Sequence, residues 1–375
     1  MPSSPDVLII GGGVIGCAIA NELAKSKAKV VLLDKDQVGT GASYASAGMV
    51  APLSDNLEEG PLLDLGLRSF RMYQPFLQDV EQAAGTSVEC LPSGIVRTAM
   101  TEEEATELRR SLDMARGVGI ELRYLDGDEA RKLEPLLGPK VLAATWSPTE
   151  PQLSPSRLVE ALRRAAVSRG TVVREQSPVS GLVRNGSKID GVRVAGETIR
   201  AGIIVLATGS WACQAGDWLG LDLPVYPVRG QIVYVNKLAT PLQHTVMYGM
   251  TYATPKGDST TLVGSTLEEG VGFDQRVTVS GMASILTRIQ DLAPSIGQTT
   301  VHHTRAGLRP WSRDHLPILG PAPGAENVVI AAGHYRSGIL LTPITARMIA
   351  DFIVKGAKAV DFGPYSAARL GRAKA

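Results

Sequence analysis

A short apolar run, a glycine-rich turn and a helix-forming segment open the chain. Gly11, Gly13 and Gly16 occupy the three glycine positions of the dinucleotide-binding fingerprint. In that pattern the first glycine permits a tight turn, the second lets backbone approach a pyrophosphate, and the third lets the helix pack closely on the strand. The helix N-terminus then offers unpaired N–H groups to the phosphates. The sequence therefore predicts a nucleotide site here, rather than a turn whose glycines are only structural.

An acidic residue ends the second apolar run of this opening unit. Asp34 lies 23 residues after Gly11 (34 − 11), the distance at which a carboxylate accepts hydrogen bonds from ribose hydroxyls. An acid at this position, in place of a basic turn, argues against a ribose 2′-phosphate. Residues 6–34 are thus predicted to form a β-α-β unit.

Length and composition favour a large α/β enzyme. The chain has 375 residues, 44% of them hydrophobic, and a net charge of +1, so a large core and two domains are expected and nucleic acid is not. Cys17, Cys90 and Cys213 show no paired spacing, as is typical of a reducing compartment. Because no apolar run reaches transmembrane length and the first lacks a basic flank, we expect a cytoplasmic protein without a membrane partner.

Parts of the nucleotide domain recur at the start, middle and end of the chain. Helical periodicity marks residues 62–84 and 155–168, and a turn at Asn185 separates the two strands of a predicted hairpin. A buried strand ends at Gly209, which offers a second approach to a nucleotide. The fold predicted is α/β, with a Rossmann-like domain (residues 1–85, 150–222 and 310–375) interleaved with an antiparallel-sheet substrate domain (residues 86–149 and 223–309).

Several motifs along the chain occur together in one group of enzymes. They are the glycine fingerprint, residues 43–49, the turn at Gly209, Pro227-Val-Arg-Gly-Gln231, Ala306-Gly-Leu-Arg-Pro310 and Ala332-Gly-His-Tyr-Arg-Ser-Gly-Ile-Leu340. Over nearly the whole chain they resemble the flavin-dependent D-amino-acid oxidase superfamily, most closely its glycine oxidase branch. The resemblance implies bound FAD and oxidation of glycine and other small amino acids by molecular oxygen, giving an oxo acid, ammonia and hydrogen peroxide. It also implies a homo-oligomer, often a tetramer, and by analogy a role in thiamine biosynthesis.

The resemblance assigns the FAD contacts residue by residue. Besides the fingerprint glycines, Val14 and Ile15 would contact the pyrophosphate, and Asp34 and Lys35 the adenosine ribose, although glycine oxidases usually carry Glu at the position of Asp34. The other implied contacts are Ala42, Ser43, Ala47, Gly48, Met49, Val179, His334, Tyr335, Arg336, Ser337, Gly338, Ile339 and Leu340. A helix beginning near Gly338 would direct its N-terminal dipole to the flavin.

Four residues match substrate contacts of the family. Arg309 would bind the substrate carboxylate through a two-pronged hydrogen bond, or else be a surface arginine in a salt bridge. The hydroxyl of Tyr252 would assist, unless the ring only packs in the core. Arg336 would be a second substrate arginine or a structural one, and Met49 would line the pocket. No catalytic side chain is implied, since hydride transfer from a neutral amine to flavin needs no strong base.

Other chemistries fit the residues less well. The five histidines have no metal-ligand spacing, so no metal is expected. No cysteine lies near Gly307, where monomeric sarcosine oxidases attach flavin, so the FAD should be noncovalent. A D-amino-acid dehydrogenase that passes electrons to a quinone or carrier shares the motifs, and a non-catalytic flavin-binding module is the remaining alternative. Arg309 and Tyr252 argue against the module, and the missing membrane anchor argues against the dehydrogenase.

Overall fold

A computed structural model of the chain describes residues 4–55 and 59–370. In these residues the strands are β1 Val7–Ile10, β2 Val30–Leu33, β3 Ile95–Ala99, β4 Arg123–Asp126, β5 Ala143–Ser147, β6 Val172–Arg174, β7 Val179–Asn185, β8 Lys188–Val194, β9 Glu197–Arg200, β10 Ile203–Leu206, β11 Val225–Val235, β12 Thr245–Tyr248, β13 Thr251–Pro255, β14 Thr261–Gly264, β15 Val301–Ser312, β16 Ile318–Pro321 and β17 Val328–Ala332. The helices are α1 Val14–Lys25, α2 Pro52–Asp55, α3 Pro61–Ala84, α4 Glu102–Val118, α5 Gly127–Leu133, α6 Pro155–Ser168, α7 Ala212–Asp217, α8 Val279–Leu292 and α9 Thr342–Lys355.

One sheet draws its strands from the start, middle and end of the chain. Its order is β16-β17-β10-β1-β2-β6, and all neighbours are parallel except β16 and β17. The central strand β1 is buried along its whole length, as a parallel strand covered on both faces must be. This topology confirms the interleaved Rossmann-like fold; the exact segment boundaries stay a prediction.

Alternate side chains of β1 enter two different cores. Val7 and Ile9 pack with the apolar faces of helices α1, α3, α6 and α9. Leu8 and Ile10 pack on the other face, against the small antiparallel sheet β7-β8-β9. The sheet is therefore packed between a helical layer and a second sheet, and a ligand can approach it at its strand ends.

The second large sheet has the order β15-β11-β14-β13-β12-β3-β5-β4 and is antiparallel except between β12 and β3. Helix α8 covers one face, where Val233 and Val263 pack against Ile285 and Ile289. The other face carries Ile232 and packs against residues 45–51, which precede α2. The predicted antiparallel-sheet domain thus forms a wall beside the nucleotide fold.

Local predictions mostly hold, apart from a missed strand and a misplaced helix start. The hairpin around Asn185 and the helix over residues 155–168 are confirmed, whereas strand β12 was not foreseen. The predicted helix start near Gly338 is wrong, because residues 334–341 form turns and α9 begins at Thr342. Pro343 marks the true start, since proline favours the first turn of a helix.

Among the described residues, no helix has the length and apolar character to cross a membrane.

Candidate functional site

A cleft opens at the carboxyl ends of strands β1, β2 and β10. Its empty space is about 1440 Å³ including the mouth that opens to solvent. Most of the residues assigned to FAD line it: Gly11, Gly13, Val14, Ile15, Asp34, Lys35, Ala42, Ser43, Val179, His334, Tyr335, Arg336, Gly338 and Ile339. The carboxyl ends of strands are where open α/β sheets place their ligands.

The glycine turn between β1 and α1 is held tightly on two sides and is open on the third. Gly11 has a φ of 108°, and a Cβ there would overlap the carbonyl oxygen of Ala207. A Cβ on Gly16 would overlap the Gly11 carbonyl oxygen. A Cβ on Gly13 would meet nothing nearer than Ser43 Oγ, at 3.7 Å. The turn therefore leaves room for a ligand at Gly13, beside the N-terminus of α1.

Asp34 is anchored by backbone donors at the edge of this cleft. Its Oδ2 accepts from Gly12 N at 2.6 Å, and its Oδ1 accepts from Asp36 N at 2.8 Å. Burial raises the pKa of Asp34, and these two hydrogen bonds oppose the rise. Each carboxylate oxygen has further lone pairs, so the group remains able to accept ribose hydroxyls. Lys35, by contrast, pairs with Asp36 at 2.7 Å and lies 4.3 Å from the centre of the Trp211 ring.

The turn after β10 forms the opposite wall and was only partly foreseen. The sequence marked Gly209 as an approach to the nucleotide, but not the residues that follow it. Thr208 and Trp211 line the cleft, and the buried Thr208 Oγ1 has no hydrogen-bond partner among the described residues. An orphaned buried hydroxyl and an open glycine turn fit a polar ligand such as the pyrophosphate of a dinucleotide.

The segment after β17 supplies the remaining wall. His334 is buried, its Nε2 lies 3.0 Å from Thr345 Oγ1, and burial lowers its pKa to about 4, so the ring is neutral at physiological pH. Ser337 and Leu340, which the resemblance also assigned to FAD, do not line the cleft. The Leu340 carbonyl oxygen instead accepts from Ser69 at 2.6 Å, which ties the segment to α3.

Four more assigned residues lie outside the cleft. Gly16 is packed into the glycine turn. Gly48 has a φ of 84° and is pressed on the backbone of Leu153. Ala47 and Met49 pack in the apolar cluster on the inner face of the large sheet, which contains Tyr252. These two residues therefore connect the cofactor cleft with the predicted substrate contacts.

Arg309 lies on β15 between two residues that line the cleft. Its neighbours Leu308 and Pro310 face the cleft, whereas the guanidinium lies over Gly230, where a Cβ would overlap it. Nη1 donates to the Thr266 carbonyl oxygen at 3.1 Å, and Nη2 donates to Ser265 Oγ at 3.0 Å. The guanidinium is thus directed along the inner face of the sheet, towards the end of β14.

Tyr252 and Arg336 also lie near the end of β14. The Tyr252 hydroxyl lies above Gly264, its cross-strand neighbour, and the residue is 6% exposed. Arg336 Nη1 contacts the Met250 sulfur at 3.0 Å, and the Met250 carbonyl oxygen accepts from Ser265 N. Three of the four predicted substrate residues, Arg309, Tyr252 and Arg336, therefore lie around the β14 end at Gly264 and Ser265, and Arg336 does so through Met250.

The charged groups around the end of β14 favour an anion. Burial raises the pKa of the Tyr335 hydroxyl and the Glu269 carboxylate adds to that rise, whereas the guanidinium groups of Arg309 and Arg336 oppose it. Tyr335 also lines the cleft and donates its backbone N–H to the Pro310 carbonyl oxygen at 3.0 Å. Two cations and a phenol hydroxyl beside a nucleotide cleft are suited to a small carboxylate.

Comparison with known proteins agrees with this geometry. Residues 6–352 match the FAD dependent oxidoreductase family, DAO. The glycine oxidase of Geobacillus kaustophilus is 37% identical over 367 residues, 97% of each chain, and its crystal structure superimposes with a TM-score of 0.91 over 98% of both chains. The glycine oxidase of Pseudomonas putida is 31% identical over 98% of this chain and 100% of its own length.

A longer, bifunctional relative is also similar. The bifunctional protein ThiO/ThiG of Synechocystis is 36% identical over 361 residues, which are 94% of this chain and 52% of that protein. The family match spans most of the chain, and it agrees with the glycine turn, the cleft and the interleaved sheets. The chain belongs to the DAO family of FAD-dependent oxidoreductases and is an amino-acid oxidase of the glycine oxidase type.

Proposed function

We propose that this enzyme oxidises glycine and other small amino acids to the oxo acid and ammonia, with molecular oxygen reduced to hydrogen peroxide. The convergence of the Arg309 guanidinium and the Tyr252 hydroxyl beside the cofactor cleft carries the proposal. The guanidinium would bind the substrate carboxylate through two parallel hydrogen bonds, and the phenol would donate a third. The names of the glycine oxidase relatives support the same substrate.

The surroundings of Tyr252 favour a small substrate. Its ring packs with Met49, Met247 and Ile232 in one apolar cluster, so a bulky side chain would have to displace packed atoms. A hydrogen atom or methyl group on the substrate Cα avoids that cost. The cluster also excludes water from this side of the substrate, which strengthens the hydrogen bonds to its carboxylate.

FAD, when bound, supplies the acceptor for the hydride that leaves the substrate Cα. The chain supplies orientation: Arg309 and Tyr252 hold the carboxylate, and Gly13, Asp34 and Thr208 would hold the cofactor. The imine product is hydrolysed by water to the oxo acid and ammonia. The likeness to ThiO/ThiG supports a place for this reaction in thiamine biosynthesis.

A substrate panel tests the proposed activity. We expect glycine, sarcosine and D-alanine to release hydrogen peroxide, and L-amino acids with large side chains to release none, because of the packing around Tyr252. The measurement is kcat/KM for each compound by a coupled peroxide assay. A marked preference for a bulky D-amino acid would contradict the glycine oxidase assignment. Dye reduction without peroxide would indicate a dehydrogenase, and no turnover at all a flavin-binding module.

Asp34→Ala should weaken FAD binding. A hydrogen bond from a ribose hydroxyl to a carboxylate contributes about 1.5–3 kcal/mol, so the affinity should fall about ten- to hundredfold. Fluorescence titration of the apoprotein with FAD measures this. Asp113→Ala removes an exposed carboxylate on α4, outside the cleft, and is the matched control. Equal affinities in the wild type and Asp34→Ala would show that Asp34 does not bind the ribose.

The FAD should be bound without a covalent link. No cysteine lies between Cys213 and the end of the sequence, and a Cβ at Gly307 would stand 2.7 Å from Ala45 Cβ, so a cysteine does not fit there. Acid precipitation should leave yellow FAD in the supernatant and a colourless pellet. A yellow pellet would show that the flavin is attached to the protein.

A further inference from the structure

A lysine ammonium is enclosed where the hairpin between β13 and β14 meets the segment that carries Met49. Lys256 Nζ donates to the Ala47 carbonyl oxygen at 2.6 Å and to Gln152 Oε1 at 2.8 Å. Gln152 Nε2 in turn donates to the Pro255 carbonyl oxygen at 2.6 Å. We call this set of hydrogen bonds the Lys256 clamp. It joins three parts of the chain that are far apart in sequence.

The backbone already holds two of these parts together. Val50 N donates to the Pro151 carbonyl oxygen, and Leu153 N donates to the Gly48 carbonyl oxygen, both at 2.9 Å. These bonds fix residues 48–50 on residues 151–153. The Lys256 clamp adds the link to the β13–β14 hairpin, and therefore to the strand that carries Tyr252.

The clamp connects the two sides of the predicted substrate pocket. Met49 and Tyr252 lie in the same apolar cluster, one on the clamped segment and the other on the clamped hairpin. We propose that Lys256 is a positioning residue that fixes residues 47–49 against Tyr252 and so sets the room for the substrate side chain. The inference rests on the proposed function for the nature of that substrate.

The charge of Lys256 is sensitive to its surroundings. Burial lowers the pKa of the ammonium from about 10.5 to about 7; the Asp258 carboxylate favours the charged form and the Arg305 guanidinium opposes it. The Glu89 carboxylate also lies close by, against Gly257 of the same hairpin. Below pH 7 the lysine donates charge-assisted hydrogen bonds, and above it the neutral amine donates weaker ones. The hold on residues 47–49 should therefore loosen as the pH rises through 7.

Hydrogen exchange of the FAD-loaded protein tests the clamp without relying on activity. In Lys256→Met we expect the peptide covering residues 44–53 to exchange about tenfold faster than in the wild type, and kcat/KM for glycine relative to D-valine to fall by about the same factor. Lys188→Met, which removes an exposed lysine on β8, is the control and should change neither quantity. In Lys256→Arg the charge is permanent, so protection should stay constant from pH 6 to 8 while it declines in the wild type.

The outcomes separate this inference from the proposed function. Unchanged exchange in Lys256→Met, or faster exchange with unchanged discrimination, overturns the positioning role. If Lys256→Met does not fold, Lys256→Gln takes its place, and unchanged exchange of residues 44–53 in that variant overturns the inference. If the wild type oxidises no amino acid, the proposed function fails, whereas a faster exchange of residues 44–53 in Lys256→Met still identifies the clamp.

Discussion

Arg309→Ala should lower kcat/KM for glycine by about thirty- to several-thousandfold and leave the flavin spectrum nearly unchanged. Truncation of one partner of a desolvated, bidentate ion pair costs about 2–5 kcal/mol of binding free energy, which gives this range. The loss should appear mainly in KM, because the carboxylate is bound equally in the ground state and the transition state. Steady-state peroxide kinetics and the absorption spectrum of each variant measure both effects.

Matched variants make this prediction specific. Arg309→Lys should recover only part of the loss, since an ammonium cannot reproduce the planar fork that lies over Gly230. Arg313→Ala, four residues further along, removes an exposed guanidinium that bonds Tyr226 and should be neutral. Glycinamide, which has no carboxylate, should respond little to Arg309→Ala. Equal losses for glycine and glycinamide would show that Arg309 holds the structure or the flavin, not the carboxylate.

The nucleotide half of the site was predictable because its chemistry is local. Three glycines and an acid at fixed spacing describe a turn whose geometry depends on neighbours in sequence. In the structure Gly11, Gly16 and Asp34 have close contacts and Gly13 is left open, as the fingerprint predicts. The cleft-lining residues Thr208 and Trp211 follow a buried strand and a small-residue turn, which is a usable signal. The sequence analysis did not predict these two side chains, because a turn in the sequence does not show which of its residues face the cleft.

The substrate half depends on strand register, which local sequence does not reveal. Tyr252 reaches Gly264 because β13 and β14 pair in that register, and Arg309 reaches Ser265 across Gly230 of β11. The family resemblance predicts that these residues bind the substrate, but their common meeting point at the end of β14 is a property of the folded sheet. Lys256 carried no signal in the sequence, since its partners lie more than a hundred residues away.

The helix start after β17 was misplaced for a related reason. The residues from His334 to Leu341 follow a strand and contain Gly338, which resembles the strand-turn-helix pattern at the start of the chain. Here, however, Tyr335 adopts a φ of 47° and Ser69 and Tyr73 of α3 bind the carbonyl oxygens of Leu340 and Ile339. Tertiary hydrogen bonds therefore hold this segment as turns.

Gly16→Ala should abolish most FAD binding and destabilise the apoprotein. The added Cβ would overlap the Gly11 carbonyl oxygen, and Gly11 has no room to retreat because it is itself pressed on the backbone of Ala207. Overpacking against fixed backbone costs about 1–3 kcal/mol of stability. The turn can relieve the overlap only by shifting the backbone N–H groups that face the pyrophosphate, so FAD affinity should fall about hundredfold. Fluorescence titration and the thermal unfolding midpoint of the apoprotein measure the two effects.

Gly13→Ala separates packing from ligand approach. Its Cβ would stand 3.7 Å from Ser43 Oγ, an ordinary contact, and its φ of −74° suits alanine, so the apoprotein should unfold at the wild-type temperature. FAD affinity should still fall, because the methyl group occupies the space that the pyrophosphate needs. Wild-type affinity in Gly13→Ala would contradict the approach of the pyrophosphate to this glycine. A normal unfolding temperature in Gly16→Ala would show that the turn relaxes more easily than its contacts imply.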